Sequence, residues 1–242
     1  MENMNNNNNN NEFEKNKEPK VPNEKSKHYT IKIIVALIVD IFLAYIAISL
    51  YELRFVTGPI SEAKPIIYFY PEQTTELNVK LGYPENLTCS YPNYKNGWNI
   101  IANPDGSLID INTGRSLYSL YWEGNAKPKI SMNEGFVIKG EDTISFLEEK
   151  LAILGLNEIE AEEFIVYWLP KLQNNKYNYI RFATIDEINK MMPLEISEKP
   201  DSLIRVLMEY KPLDKYIDVK EQKLSTPTRT GFVVVEWGGA EI

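Results

Sequence analysis

The sequence contains very few of the residues on which most enzyme mechanisms depend. It has one cysteine, Cys89, and one histidine, His28, among 242 residues. A disulfide framework and a Cys/His zinc cluster are therefore excluded. Because His28 lies in a low-complexity N-terminal segment, we expect no Ser-His-Asp or Cys-His mechanism. Cys89 lies in a strand-like run, where an unpaired cysteine is expected to serve packing.

Positive charge and phosphate-binding loops are also scarce. The chain carries 26 Lys and Arg against 34 Asp and Glu, a formal net charge of −8. Such a chain lacks the basic face that nucleic-acid binding requires. Neither the G-x-x-x-x-G-K-[ST] loop nor the G-x-G-x-x-G fingerprint is present. We therefore predict no nucleic-acid partner, no nucleotide and no cofactor.

Two N-terminal segments differ sharply in composition. Residues 1–30 contain an unbroken Asn run and few large apolar side chains, which predicts a disordered tail. Of the 18 residues from Ile33 to Leu50, 12 are Ile, Leu, Val or Phe. Asp40 costs about 2.5–3.5 kcal/mol at a membrane centre, whereas twelve such residues return about 4–7 kcal/mol. Residues 31–53 are thus predicted to form a transmembrane signal anchor in the lipid bilayer.

The charges beside this segment predict its orientation. Lys25, Lys27 and Lys32 precede or begin it, and fewer basic residues follow. By the positive-inside rule, the tail is cytoplasmic and the remainder is extracytoplasmic. The sequence therefore predicts a single-pass membrane protein in which a connector, residues 54–63, leads to a domain at residues 64–242.

Downstream of the connector, the hydrophobic pattern predicts an α+β domain. Short apolar or alternating runs separated by turn residues predict an antiparallel, sandwich-like sheet layer. Apolar spacings of three and four residues predict two adjacent helices, at 144–154 and 157–169, the second ended by Pro170. Further strands are expected at 179–183, 203–210 and 231–237. Strands, then helices, then strands again are typical of the α+β class.

Four segments of this domain resemble a family of bacterial proteins whose activity is uncharacterised. They are KPIIYFYP from Lys64, YWEG from Tyr121, FIVYWLP from Phe164 and VEWGG from Val235. Members of that family have an N-terminal anchor or signal before a domain of this kind. The resemblance implies that the chain is a member of this family and that its domain is extracytoplasmic. It implies no catalytic mechanism.

Aromatic and acidic residues supply the candidate ligand-binding groups. Trp122 and Trp237 each adjoin a glutamate, Glu123 and Glu236, and flat rings beside carboxylates are typical of glycan sites. Two such carboxylates would be the catalytic pair of a glycan hydrolase, provided that the fold brings them together. The other interpretation, which we favour for each aromatic residue taken singly, is that the tryptophans are core residues. Two tyrosines of the KPIIYFYP segment, Tyr68 and Tyr70, are further ligand-binding candidates.

Two smaller features also have two interpretations. Asp105 and Asp110, near Gly106, supply oxygen ligands of the kind that Ca²⁺ prefers, but Pro104-Asp105-Gly106 is also typical of a hairpin turn. We favour the turn and predict no metal. Asn86 begins an Asn-Leu-Thr sequence, which is an N-glycosylation acceptor if the host is eukaryotic.

These observations predict a binding module. An extracytoplasmic domain without a histidine, a cysteine pair or a nucleotide loop is expected to bind a partner protein or a glycan. The alternative is a glycan hydrolase or glycan-binding domain acting through carboxylates such as Glu123 and Glu236. A third possibility is a structural role, in which sheet edges associate.

Overall fold

The computed structural model describes residues 32–47, 60–126 and 133–242. The chain divides into two units, Met1–Gly58 and Pro59–Ile242. In the first unit, the described residues form a helix, α1, at 32–47, with exposed side chains. The tail predicted at 1–30 lies outside the described residues, as do both ends of the segment predicted to be an anchor. Among the described residues, no helix has the length and apolarity needed to cross a membrane.

The second unit contains thirteen strands and three α-helices among its described residues. In chain order they are β1 (Ile60–Tyr70), β2 (Thr75–Leu81), β3 (Leu87–Tyr91), β4 (Trp98–Ala102), β5 (Leu108–Asp110), β6 (Ser116–Leu117), β7 (Leu120–Ala126), β8 (Glu134–Lys139), α2 (Thr143–Ile153), α3 (Glu158–Leu172), β9 (Tyr177–Phe182), α4 (Ile185–Met191), β10 (Leu194–Ile196), β11 (Ser202–Leu213), β12 (Lys220–Glu221) and β13 (Val233–Glu241). This composition confirms the predicted α+β class.

The strands form two sheets. The larger sheet has the order β12-β8-β9-β11-β13-β1-β7-β3, and the smaller has the order β10-β2-β4-β5-β6. Most neighbouring strands are antiparallel, but β11 is parallel to β13 and β12 is parallel to β8. The sheets are thus largely but not entirely antiparallel. Strands β11 and β13 are parallel because the chain crosses over between them instead of turning back in a hairpin.

The larger sheet is buried on both faces because residues along its central strands alternate between two cores. On one face, Ile66, Tyr68 and Trp237 pack with residues of α2 and α3. On the other face, Ile67, Phe69 and other residues pack against the smaller sheet. Period-two alternation sends successive side chains to opposite faces, so one strand contributes to both cores. This layering produces continuous apolar runs such as Phe232–Val235.

Helix α3 is fixed at its N-terminus and packs closely on the sheet. Asn157 and Glu160 form a reciprocal capping box, and Arg229 adds two hydrogen bonds of 2.8 Å to the Glu160 carboxylate. A side chain at Gly239 would place Cβ 2.6 Å from the Trp168 ring and 2.7 Å from the Met208 carbonyl oxygen. The close approach of α3 to β13 therefore requires glycine at this position of the VEWGG segment.

Two boundaries and one helix differ from the sequence prediction. Strand β1 begins at Ile60, within the segment predicted to be a connector. Helix α3 continues through Pro170 to Leu172. Proline has no N–H to donate to the carbonyl of Val166, four residues earlier. The helix tolerates this because Val166 and Pro170 are both exposed, where water can replace the missing donor. Helix α4 was not predicted, because it is only seven residues long and buries one residue, Ile188.

Candidate ligand-binding cleft

An open cleft of about 510 Å³ lies at the side of the larger sheet that faces the helices. Its volume is within the range of small-molecule sites. Four tyrosines, Tyr91, Tyr118, Tyr121 and Tyr167, supply much of its wall, and Glu123 supplies its carboxylate. The other lining residues are Ile66, Ser116, Leu117 and Ser119.

Three neighbouring parts of the fold position these side chains. Strand pairing places Tyr91 of β3 opposite Tyr121 of β7, and Tyr121 and Glu123 are two residues apart on one face of β7. Helix α3 brings Tyr167 to the same side. Tyr118 lies where the chain passes from β6 in the smaller sheet to β7 in the larger one, and 59% of it is exposed.

Hydrogen bonds connect the cleft to the core beside it. Burial first, and then the nearby Glu123 carboxylate, raise the pKa of the Tyr121 phenol. Tyr68 is buried, donates a short hydrogen bond to Glu163 and accepts one of 3.2 Å from Trp237 Nε1. Burial first, and next the hydrogen bond to Glu163, raise the pKa of Tyr68 well above its ordinary range.

Glu163 lies close to the cleft although it is not among its lining residues. The Tyr118 ring packs against Tyr68, with ring centres 6.4 Å apart. Burial and then the charge of Glu163 raise the pKa of Tyr118. The cleft thus has a carboxylate at its wall, Glu123, and a second carboxylate behind Tyr68 and Tyr118.

The structure does not bring Glu123 and Glu236 together. Glu123 faces the cleft on the helix side of the sheet, whereas Glu236 and Trp122 face the smaller sheet, with Trp122 Nε1 2.9 Å from Glu236 Oε1. Glu236 is buried, and its Oε2 accepts a hydrogen bond of 2.5 Å from Arg205 Nε. Glu236 is therefore held in a buried ion pair and is not available as the second acid of a hydrolase.

The predicted aromatic ligands have mainly core positions. Trp122 is 2% exposed and Trp237 is 0% exposed, so neither ring can serve as an external platform. Tyr68 is buried beside the cleft. Tyr70 is half-buried and has the Arg229 guanidinium 5.2 Å from its ring centre. The buried positions fit the core interpretation of the tryptophans, which the sequence favoured for each aromatic residue taken singly.

Asp105 and Asp110 each stabilise their own turn. Asp105 accepts hydrogen bonds from the Ser107 amide and hydroxyl, which lower the pKa of the aspartate. Asp110 accepts one of 2.5 Å from the Thr113 hydroxyl and one from the Asn112 amide. Across the parts of the chain that the structure describes, no group of three or more His, Cys, Asp or Glu residues could hold a metal ion.

Asn86 and Cys89 lie near the outer edge of the larger sheet. Asn86 ends a 3₁₀ turn, Pro84–Asn86, and is half-exposed. Cys89 on β3 is an exposed free thiol opposite Glu123. The expectation that Cys89 is a packing residue was therefore wrong, because β3 is an edge strand with little burial.

Sequence reasoning missed most of the cleft. Tyr91, Tyr118, Tyr167 and Glu163 were not predicted as site residues. Tyr167 and Glu163 could have been noticed from the helical pattern, because each adjoins a residue of the apolar stripe that α3 buries, Trp168 and Phe164. Tyr91 and Tyr118 are among the larger apolar side chains that the fold leaves exposed, and no local pattern distinguishes them from core tyrosines.

The segments that resemble a bacterial family meet around this cleft. KPIIYFYP contributes Ile66, YWEG contributes Tyr121 and Glu123, and FIVYWLP contributes Tyr167, while VEWGG supplies Trp237 beneath Tyr68. Comparison of the chain with models of protein families, with curated proteins and with solved structures found no match. The resemblance therefore stays a prediction.

Proposed function

We propose that residues 60–242 form a non-catalytic binding module whose ligand enters the tyrosine-lined cleft. The observation that supports this most directly is the pair of exposed rings, Tyr91 at 52% and Tyr118 at 59% exposure, at the edge of a concave site. Tyrosine rings offer large contact area at low entropic cost, which suits them to recognition.

The remaining parts of the proposal concern where the module is held and which ligands it would meet there. The anchor predicted at residues 31–53 would hold the module at a membrane, with the tail in the cytoplasm and the module outside it. A partner protein or a glycan displayed on another surface would then be the natural ligand. The net charge of −8 favours neutral or cationic ligands over acidic ones.

A glycan-binding module is the second candidate. Sugar rings stack on flat aromatic faces, and Glu123, Ser116 and Ser119 could accept hydrogen bonds from sugar hydroxyls. The hydrolytic form of this candidate loses support, because Glu123 and Glu236 lie on opposite faces of the sheet.

The chain's single cysteine gives a direct test. Cys89 is exposed and lies opposite Glu123, so a ligand in the cleft should slow its alkylation by a maleimide. The full chain, in a detergent, is screened against polysaccharide fragments, peptides and small amines, and binding is measured independently by calorimetry.

We expect saturable protection of Cys89 by at least one compound, with binding weakened in Tyr118→Ala. The matched control is Tyr216→Ala, since Tyr216 is 60% exposed but lies outside the cleft. If no compound binds, or if both variants bind like the unaltered chain, the proposed function is wrong.

A further inference from the structure

The carboxylates near the cleft differ from other carboxylates of this domain. Glu160, Glu209 and Glu236 are buried, and each is paired with an arginine: Arg229, Arg181 and Arg205. Among the described residues, neither Glu123 nor Glu163 has an ion-pair partner. Glu163 accepts a hydrogen bond from the Tyr68 hydroxyl, and Glu123 lies with Tyr121 in the cleft wall. The cleft therefore has negative charge that the described part of the domain leaves without a countercharge.

The described residues that line the cleft include no basic side chain. Its lining consists of four tyrosines, two serines, two aliphatic residues and Glu123. Among these described lining residues, a phosphate or carboxylate group would find no lysine or arginine to pair with its charge, and the two glutamates would repel it. Lys171 packs over the Tyr167 ring but is not one of the lining residues. An acidic ligand is therefore disfavoured.

Tyrosine rings of this domain already accept cations within the chain. The Arg229 guanidinium lies 5.2 Å from the centre of the Tyr70 ring, and Lys171 Nζ lies 4.9 Å from that of Tyr167. A cation over a tyrosine face is attracted by the ring quadrupole, most strongly when water is excluded. The exposed faces of Tyr91 and Tyr118 could accept a cation from outside in the same manner.

We infer that the cleft binds an organic cation through an alkylammonium group, held between tyrosine faces and oriented by Glu123. This inference rests on the proposed function, because it names the ligand class of the same cleft. A sugar would use the rings and hydroxyls but would leave the charge of both glutamates without a countercharge. An alkylammonium group uses the rings and the charge together.

The test is built around two ligands that differ only in charge, and two further ligands represent other ligand classes. Two of the probes are choline and its uncharged carbon isostere, 3,3-dimethylbutan-1-ol. The third is lysine amide acetylated on its α-amino group only, which keeps the charged side chain of a protein lysine. The fourth is cellobiose, which represents a neutral glycan. The full chain is kept in a polyoxyethylene detergent, which carries neither sugar nor charge. Calorimetry and Cys89 protection report binding.

We expect a cationic probe to bind about tenfold more tightly than the isostere. Tighter binding of choline would point to a free or lipid-borne quaternary amine, and tighter binding of the lysine derivative to a protein partner. Binding should weaken as salt is added. Glu123→Gln should reduce affinity roughly three- to tenfold, and Tyr118→Leu roughly two- to fivefold.

Glu195→Gln is the matched charge control, because Glu195 is exposed on β10 of the smaller sheet. Equal binding of choline and the isostere would overturn the inference, as would equal losses in Glu123→Gln and Glu195→Gln. Binding of cellobiose alone, lost in Tyr118→Leu, would overturn the inference and leave the proposed function standing. If none of the four probes binds, the inference fails, and the wider ligand screen then decides the proposed function.

Discussion

At the residue scale, Glu123 and Glu236 have unrelated roles although each adjoins a tryptophan in sequence. Glu236 belongs to a buried cluster in which Arg205 also contacts the Asn189 side chain and the Met192 carbonyl. Glu123 is half-exposed at a cleft. The difference arises because the two residues have opposite phase on β7 and β13, so their side chains leave the sheet on opposite faces.

Glu236→Gln should strongly destabilise the domain. The Arg205 and Glu236 side chains are 0% and 5% exposed, so removing the carboxylate charge leaves a guanidinium buried without its counterion. We expect a loss of about 3 kcal/mol in the free energy of unfolding, measured by urea titration. The control is Glu141→Gln, because the Lys139–Glu141 pair has side chains that are 56% and 71% exposed. Similar losses in both variants would contradict the structural role of Glu236.

Tyrosines whose pKa is raised by folding should make the domain sensitive to alkali. Burial is the first cause of a raised pKa for seven tyrosines: Tyr68, Tyr70, Tyr118, Tyr121, Tyr167, Tyr179 and Tyr210. A pKa raised in the folded state favours the protonated form there. The contribution of these tyrosines to the free energy of unfolding is complete below the pKa of an unfolded tyrosine, about 10. It is lost as the pH rises through the higher pKa values of the folded state.

We therefore expect the unfolding free energy to fall above about pH 10, with tyrosinate absorbance rising together with loss of the circular dichroism signal. Urea titrations at several alkaline pH values measure the first effect. Gradual tyrosinate formation in a domain that stays folded would show that these phenols are more accessible than the structure indicates.

At the scale of elements, α3 connects the cleft to the sheet. One face contributes Phe164 and Trp168 to the core. The neighbouring Tyr167 lines the cleft, and Glu163 accepts a hydrogen bond from Tyr68 beside it. The position of the helix is set at its N-terminus, where Arg229 pairs with Glu160 and also donates to the Gly155 carbonyl at 3.0 Å. The geometry of the cleft therefore depends on how well α3 is capped.

Asn157→Ala should weaken this cap. The Asn157 side chain accepts a hydrogen bond of 2.9 Å from the Glu160 amide, which would be left unpaired at the helix N-terminus. We expect a loss of about 1 kcal/mol in the unfolding free energy, measured by urea titration. Asn174→Ala is the control, since Asn174 is exposed in the turn after α3 and should change stability by less than about 0.5 kcal/mol. Equal effects would mean that the capping box adds nothing to stability.

At the scale of the whole molecule, the chain is two units of different composition. Unit Pro59–Ile242 buries two large apolar clusters, one on each face of the larger sheet. The described residues of the first unit are a helix of exposed, mostly apolar side chains. In the anchor that we propose for residues 31–53, lipid would cover these side chains.

The full chain should therefore partition into phospholipid vesicles, whereas a chain beginning at Pro59 should remain in the aqueous phase. Flotation through a density gradient measures both. Introducing two further charges into the apolar segment, by Ile38→Lys and Leu43→Lys, should cost about 5–7 kcal/mol of insertion free energy and abolish flotation. Flotation of the chain that begins at Pro59 would contradict the proposed anchor.

Local sequence patterns predicted much of the secondary structure because they depend on near neighbours. The alternation at Leu77, Val79 and Leu81 predicted β2, and the apolar spacing with Asn157 as a cap predicted α3. Helix α2 was predicted at nearly its true bounds, but Ile144, expected on its apolar face, is 47% exposed. Phe146 is buried instead, because the partner surface, and not the helix itself, selects which face is covered.

The amino-acid sequence by itself determined the α+β class and the positions of the main strands and helices. Periodicity and composition act over a few residues, so they can be read without a fold. Only the tertiary structure decided which carboxylates and rings meet. Trp122 and Glu236 are 114 residues apart and yet share a hydrogen bond, while Glu123, adjacent to Trp122, faces a different surface. Strand order and sheet face control such contacts, and both follow from the packing of distant segments.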